Sequence, residues 1–199
     1  MQPLPYFGST VLWAVAWPGG SSPVRFRENE HYQKRSQRNR TRIATSHGPL
    51  ALSVPLVAGK HEACPVAEVR IRYEPDWRRK HWLSLRAAYG SAPFWPEYAP
   101  ELEALYALRP DRLWDWSWGI ATWVARELGA GPVLAEALPQ SSDAMLREVV
   151  DYRPRPELPA YPQVFTERTG WLGNLSVVDA LLCLGPETPA YLAHLREHL

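Results

Sequence analysis

Cysteine is scarce in this chain, and the two that are present, Cys64 and Cys183, lie far apart in its 199 residues. Two isolated cysteines provide neither a disulfide framework nor the paired spacing of a zinc site, and they favour a reducing, cytoplasmic environment. The spacing of a zinc finger, the RNP motif and a basic zipper are missing as well. We therefore do not expect nucleic acid as a partner.

Long hydrophobic runs are also missing. The apolar stretch from Val11 to Trp17 has no basic region before it and is too short to cross a bilayer. We expect neither a membrane span nor a targeting segment. The sequence contains no nucleophile elbow, P-loop, dinucleotide fingerprint or metal motif, so it gives no support to a nucleophilic, ATP-driven or metal-dependent mechanism and leaves the cofactor unknown.

Charge of both signs is present but unevenly distributed. The formal net charge is only +1, yet the range from Arg25 to Arg86 holds 14 Lys or Arg against 6 Asp or Glu, and the rest holds 8 against 15. The density of positive charge is highest in residues 31–43, called the basic segment below, which contains no acidic residue. Its cations are Lys34, Arg35, Arg38, Arg40 and Arg42.

The basic segment is the first candidate site. Repulsion among neighbouring cations is unfavourable unless an anion compensates it, and the planar fork of arginine suits phosphate or carboxylate. Tyr32, Gln33, Gln37 and Asn39 add hydrogen-bonding groups between the cations. We interpret the segment as an anion-binding site, with a solvated run of charge as the alternative.

The hydrophobic pattern changes near Arg86 from alternation to helical periodicity. Alternation predicts strands at residues 24–27, 50–56 and 69–73, on both sides of a basic loop. Helical spacing predicts helices at residues 9–17, 76–89, 96–108 and 111–128, and another that ends before Gly185. We expect a single α/β domain over residues 1–199, with a small mixed sheet in the N-terminal part covered by several α-helices from the C-terminal part.

One predicted helix carries a second candidate face. Trp77, Lys80, His81 and Ser84 follow the spacing i, i+3, i+4 and i+7, which places them on the same side of a helix. This face would complete an anion pocket, with His81 as a possible acid or base. The alternative is that Trp77 packs in the core while the polar groups meet solvent.

A third candidate lies near the C-terminus. Tyr161 and Gln163 belong to the sequence Tyr-Pro-Gln-Val-Phe, and Asn174 or Ser176 can cap a helix that has Asp179 in its first turn. A helix N-terminus is also suited to an anion. Capping alone explains Asn174 and Ser176, and a ligand role is the second interpretation.

Taken together and in order, several motifs resemble one family. They are His31-Tyr32-x-Lys34, Arg38-Asn39-Arg40-x-Arg42-Ile43, Leu52-Ser53-Val54-Pro55, Trp77-x-x-x-His81, Ala88-Tyr89-x-x-Ala92-Pro93-Phe94, Tyr161-Pro162-Gln163-Val164-Phe165 and the residues from Leu175 to Leu182. The chain resembles the WbqC-like family over nearly its whole length, and most closely its short members of the Bacteroidota type. Family members commonly begin with His-Gln-Pro-x-Tyr-x-Pro, whereas this chain has Met1-Gln2-Pro3-Leu4-Pro5-Tyr6 and lacks the leading His.

The resemblance implies a role in bacterial O-antigen or other surface-polysaccharide assembly, where members are suggested to transfer glycine or a related group to a sugar. We therefore expect an acyl or aminoacyl transferase that acts on a nucleotide- or lipid-linked sugar or another small anionic substrate.

The expected catalytic residues are His81, Asp179 and Lys34. Asp179 would orient His81 or bind a sugar hydroxyl. The expected substrate-binding residues are Tyr6, His31, Arg38, Asn39, Arg40, Arg42, Trp77, Ser84, Tyr161, Gln163, Asn174 and Ser176. The alternative is a non-catalytic binding or scaffold protein that recognises a phosphorylated or carboxylated glycan.

Overall fold

The β-structure consists of a parallel three-stranded sheet and an antiparallel hairpin. The computed structural model describes residues 1–28, 30–57, 64–137 and 155–199. In the parallel sheet, β2 (Val24–Arg27) lies between β1 (Gln2–Pro3) and β5 (Val133–Glu136). The hairpin pairs β3 (Arg40–Thr45) with β4 (Gly48–Ser53), and Gly48 adopts a φ of 102° where the chain reverses.

Helices make up most of the remaining regular structure. Their bounds are α1 (Thr10–Ala16), α2 (Trp77–Tyr89), α3 (Trp95–Ala107), α4 (Leu113–Glu127), α5 (Thr166–Thr169), α6 (Val177–Leu184) and α7 (Thr188–Glu197). Short 3₁₀ turns occupy Val66–Glu68 and Gly185–Glu187. The predicted α/β class is confirmed.

The strands differ from the prediction in three ways. They form two sheets, and the parallel sheet takes β5 from beyond the N-terminal part of the chain. The basic segment is not wholly a loop, since β3 begins at Arg40. Residues 69–73 form only isolated bridges, Leu56 with Ile71 and Arg70 with Arg112. Their alternation arises because Val69 and Ile71 are buried against the start of α4, while the arginines between and after them are exposed.

The helix α1 connects two parallel strands and covers one face of the sheet. Ser9 caps α1, and its hydroxyl accepts a hydrogen bond from the Leu12 N–H. Trp13 of α1 packs edge-on against Phe26 of β2, with ring centroids 5.8 Å apart. This crossover fixes the carboxyl end of β1, from which the chain runs directly into the loop of residues 4–8, called the Tyr6 loop below.

One hydrophobic cluster joins α1 and the parallel sheet to α2, α3, α4, α6 and α7. Trp116 and Trp123 of α4 are part of it and are buried. Within the described ranges, no helix is long and apolar enough to cross a membrane.

Candidate functional site

The basic segment contains one neutralised arginine and several that differ in exposure. The Arg38 side chain is only 1% exposed and forms a two-pronged ion pair with Glu30. Its Nε donates to Glu30 Oε1 at 2.8 Å and its Nη2 donates to Oε2 at 2.5 Å. Glu30, which compensates the charge of Arg38, directly precedes the basic segment and therefore lies outside the range that contains no acidic residue. Arg38 therefore fixes the conformation of the segment and has its charge balanced within the protein.

Arg40 differs from Arg38 in its surroundings. It is half-buried on β3, and its Nε is withdrawn from solvent without a hydrogen-bond partner among the residues that the structure describes. The neighbouring Tyr32 has a raised pKa because of burial, and the positive charges of Arg40 and Arg38 oppose that rise. A phosphate or carboxylate oxygen is the natural partner for such an Nε–H group.

Asn39 holds the backbone of the segment in place. It accepts a hydrogen bond from the Tyr32 hydroxyl at 2.8 Å, and its Nδ2 donates to the Val54 carbonyl at 2.9 Å. The Val54 N–H in turn donates to the Asn39 carbonyl. These contacts hold the start of β3 against the end of β4. Asn39 directly precedes Arg40 and thereby positions it.

The remaining predicted residues of the segment lie at its surface. His31 and Lys34 are exposed, and Arg42 is half-buried two residues after Arg40, on the same face of β3. The Arg42 carbonyl accepts a hydrogen bond from the Ser176 N–H at 2.8 Å. The basic segment and the start of α6 are thus brought together, although Arg42 and Ser176 are 134 positions apart in the sequence.

The N-terminal segment completes this junction. Val177 N–H donates to the Gly8 carbonyl, and Thr10 N–H donates to the Leu175 carbonyl. From the basic segment, Gln37 accepts from the Ser9 N–H at 2.6 Å and donates to the Ser9 hydroxyl at 3.2 Å. Three distant parts of the sequence therefore share one hydrogen-bonded junction.

The helix-capping interpretation of the C-terminal motif agrees with the geometry. Ser176 is the N-cap of α6, and its hydroxyl accepts from the Val178 N–H at 3.4 Å. Asn174 is buried and adopts a left-handed φ of 62°, which turns the chain ahead of the helix. Asn tolerates this conformation better than most residues.

His81 lies in a buried aromatic cluster. Its Nδ1 is hydrogen-bonded to the Tyr6 hydroxyl at 2.8 Å, and that hydroxyl contacts the Tyr106 hydroxyl at 2.5 Å. The Trp77 ring lies edge-on to the imidazole, with centroids 5.1 Å apart. Burial lowers the pKa of His81 to about 4 and raises the pKa of Tyr6 well above its usual value. The imidazole is therefore neutral at pH 7.

The predicted polar face of α2 does not form as a unit. Trp77 and His81 point into the core, Lys80 is exposed and Ser84 is half-exposed. The Ser84 hydroxyl donates to the Lys80 carbonyl at 2.9 Å. The apolar stripe is centred near Leu85, which places Trp77 and His81 inside it and the other two residues at its margin.

Asp179 is the centre of a second buried cluster. Its carboxylate is fully buried and accepts from the Tyr89 hydroxyl at 2.6 Å, the Tyr161 hydroxyl at 2.6 Å and Gln163 Nε2 at 2.9 Å. Burial raises the pKa of Asp179, and the three hydrogen bonds oppose this rise. Among the described residues, no hydrogen bond joins Asp179 to His81, which Asp179 was expected to orient if it did not bind a sugar hydroxyl. Asp179 instead binds together α2, α6 and the Tyr-Pro-Gln segment.

Two residues of these clusters were not identified from the sequence. Glu30 could have been found from the sequence, because it is the acidic residue directly before the basic segment. No local pattern points to Tyr106, because its partner Tyr6 lies 100 positions away and the sequence shows Tyr106 only as one of the apolar positions of α3. Tyr106 also borders an open groove of about 270 Å³ beside Trp82 and Arg78.

Within the described ranges, no group of three or more His, Cys, Asp or Glu side chains is arranged to hold a metal ion. The candidate site is therefore best described by its arginines and its buried hydroxyl, imidazole and carboxylate groups.

These features define an α/β protein in which the basic segment, the Tyr6 loop and the start of α6 form one hydrogen-bonded junction. The sequence matches the model of the WbqC-like protein family over residues 22–152, and the chain belongs to that family. It is similar to the uncharacterized protein Rv1507c of Mycobacterium tuberculosis, with 26% identity over 202 residues, 85% of this chain and 87% of that protein. No solved structure matches the chain.

Proposed function

We propose that this protein is an enzyme of bacterial surface-polysaccharide assembly that transfers a small acyl or aminoacyl group to a sugar. Its membership in the WbqC-like family supports this reaction class through the resemblance described above. The observation that carries the proposal is the Arg40 guanidinium, whose buried Nε has no partner among the described residues. We assign to it the phosphate or carboxylate of a nucleotide- or lipid-linked sugar or another small anionic substrate.

The neighbours of Arg40 suit this assignment. Arg38 is held by Glu30, so it stabilises the segment without competing for the ligand. Arg42 lies on the same face of β3 as Arg40 and adds positive charge close to the start of α6. In this scheme Lys34 and His31, both exposed, contact the outer part of the substrate, and Lys34 neutralises charge that develops during transfer.

We assign the role of general base to His81. The imidazole is neutral at pH 7 and can accept a proton from the sugar amine or hydroxyl as that group attacks the acyl carbon. The bond between the acyl carbon and its carrier then breaks, and the carrier leaves with the proton that His81 returns to it. In this scheme the ring proton is on Nδ1, which donates to the Tyr6 oxygen, so Nε2 is the accepting atom. Tyr6 then orients the ring, and Trp77 forms a wall beside it.

We assign a positioning role to the cluster around Asp179. The carboxylate accepts three hydrogen bonds from protein side chains, which orient Tyr161 and Gln163 toward the interior. Asn174 and Ser176 shape the turn that places Asp179 at the start of α6. Ser84, half-exposed on α2, is the remaining polar group that the scheme places near the substrate.

The alternative is a non-catalytic protein that binds a phosphorylated or carboxylated glycan. The deep burial of His81, which is 6% exposed, favours this alternative because a base must reach its substrate. The two functions differ in the effect of His81→Gln. In an enzyme this substitution abolishes turnover and leaves ligand affinity nearly unchanged, whereas in a binding protein it alters affinity at most.

The test is a thermal-shift panel with nucleotide sugars, sugar phosphates, acyl-CoA, ATP and glycine. A ligand at 100 times its dissociation constant stabilises the native state by about 2.7 kcal/mol, which is readily measured. We expect a selective shift that Arg40→Gln removes and that the control Arg72→Gln, at an exposed arginine, retains. A ligand shift that survives Arg40→Gln in full would contradict the assignment of Arg40.

A further inference from the structure

Arg27 is a second arginine with an unusual environment, and it lies outside the basic segment. It is the last residue of β2, the central strand of the parallel sheet, and its side chain is only 7% exposed. Its Nε is buried without a hydrogen-bond partner, and its guanidinium forms no ion pair with any residue that the structure describes. A buried cation of this kind is unfavourable unless an anion compensates it.

Glu28, the residue after Arg27, is exposed and forms no ion pair with the buried Arg27. Two other carboxylates that are near in sequence or register already have partners. Side chains alternate along β2, so Phe26 packs on α1 while Arg25 and Arg27 face the opposite side of the sheet. Glu136 of β5 is in register with Arg27 but is paired with Arg25 at 2.7 Å. Glu30, three residues after Arg27, is paired with Arg38. The protein therefore leaves the charge of Arg27 without an internal counterpart in its described part.

The position of Arg27 in the sheet suits a ligand. In open sheets of parallel strands, ligands bind outside the carboxyl ends of the strands. Arg27 is at that end of β2, and its register partner Pro3 is at the same end of β1. From Pro3 the chain continues into the Tyr6 loop, where the Tyr6 N–H donates to the Gln37 carbonyl of the basic segment.

We propose that Arg27 binds an oxyanion, either a phosphate or a carboxylate, at the carboxyl edge of the parallel sheet. Arginine offers both acids a planar fork of donors, and the withdrawal of its Nε from water strengthens the charge-assisted hydrogen bond. The assignment rests on contacts other than those that support the assignment of Arg40. It requires neither transfer chemistry nor a sugar, so it stands or falls independently of the proposed function.

The test uses the whole protein and reads Arg27 directly. The arginine Nε–H resonances of ¹⁵N-labelled protein are followed during titration with inorganic phosphate, pyrophosphate, acetate and malonate at constant ionic strength. Arg27→Lys assigns the Arg27 resonance by its disappearance. We expect this resonance to shift saturably with at least one class of anion, and the class that shifts it distinguishes a phosphate ligand from a carboxylate ligand.

Two variants provide the matched comparison. Arg27→Gln is expected to weaken binding of that anion by about tenfold or more, because the charged fork is lost. Arg72→Gln removes an exposed arginine outside the strands, leaves the pair between Arg25 and Glu136 intact, and is expected to bind as the unsubstituted protein does. An Arg27 resonance that none of the four anions shifts would overturn the proposal. Equal binding by folded Arg27→Gln would overturn it as well, whatever the result for Arg40.

Discussion

At the scale of single residues, the buried ion pair between Glu30 and Arg38 constrains the basic segment. Breaking one side of a buried pair leaves an uncompensated charge, so we expect Glu30→Gln to lower the free energy of unfolding by about 3–5 kcal/mol. Urea denaturation measures this change. The control is Glu101→Gln at the exposed pair with Arg126, where a change within about 1 kcal/mol is expected. Equal losses in both variants would contradict the burial of the first pair.

The buried imidazole of His81 makes stability depend on pH. Its pKa is lowered to about 4 in the folded protein, against about 6.5 in the unfolded chain, so below 6.5 the unfolded chain binds a proton that the folded protein does not. The stabilisation is complete above pH 6.5 and declines as the pH falls toward 4, by roughly 3 kcal/mol in total. In His81→Gln this contribution is absent, so the difference in slope between the two proteins isolates it. An imidazole NMR titration with a midpoint above 6 would contradict the burial.

The carboxylate of Asp179 is expected to stabilise the fold through its three donors. Asp179→Asn replaces one accepting carboxylate oxygen by an NH2 group, which cannot accept a hydrogen bond. At least one of the three buried donors therefore loses its partner. We expect a loss of about 1–3 kcal/mol in the free energy of unfolding, measured with urea. Asp111→Asn, at an exposed aspartate paired with Arg70, is the control and is expected to change stability little.

The sequence identified many residues of these clusters but not their partners. The charge density of the segment pointed to Arg38 and Arg40 equally, and only the position of Glu30 in space separates them. The family motifs pointed to Tyr161, Gln163 and Asp179, which the structure brings into direct contact. Pairings of this kind depend on tertiary packing, which no local spacing reports.

At the scale of elements, the C-terminal end of α6 is a sensitive point. Gly185 adopts a left-handed φ of 53°, and a Cβ at this position would clash with the Phe94 ring. We therefore expect Gly185→Ala to destabilise the protein by about 1 kcal/mol or more. Gly119 lies inside α4 with open space at its Cβ, so Gly119→Ala is expected to stabilise by roughly 0.5–1 kcal/mol. Chemical denaturation of both variants checks the opposite signs.

The helices were predictable because their periodicity is strong. The predicted helices at residues 76–89, 96–108 and 111–128 correspond to α2, α3 and α4 within two residues at either end. The strands were less predictable. Residues 69–73 alternate because they are half-buried beside α4, and alternation reports burial and not strand pairing. β5 was missed because it is a short strand far from its partner β2 in sequence.

At the scale of the whole molecule, polar contacts connect distant parts of the chain. Tyr6 reaches His81 and Tyr106 across 75 and 100 residues, and Ser176 contacts Arg42 through the backbone. These contacts and the continuous hydrophobic cluster support our proposal that residues 1–199 act as one domain. The functional scheme depends on the same junction, since it places the arginines of β3 beside the N-terminal loop and α6.

The central claim is that Arg40 binds the anionic group of the substrate. The most direct measurement is calorimetric titration of the first ligand found in the thermal-shift panel into the unsubstituted protein, Arg40→Gln and the control Arg72→Gln. We predict that Arg40→Gln remains folded and loses at least about tenfold in affinity, while Arg72→Gln binds normally. Unchanged affinity in folded Arg40→Gln would contradict the claim and leave the buried Nε of Arg40 without a functional explanation.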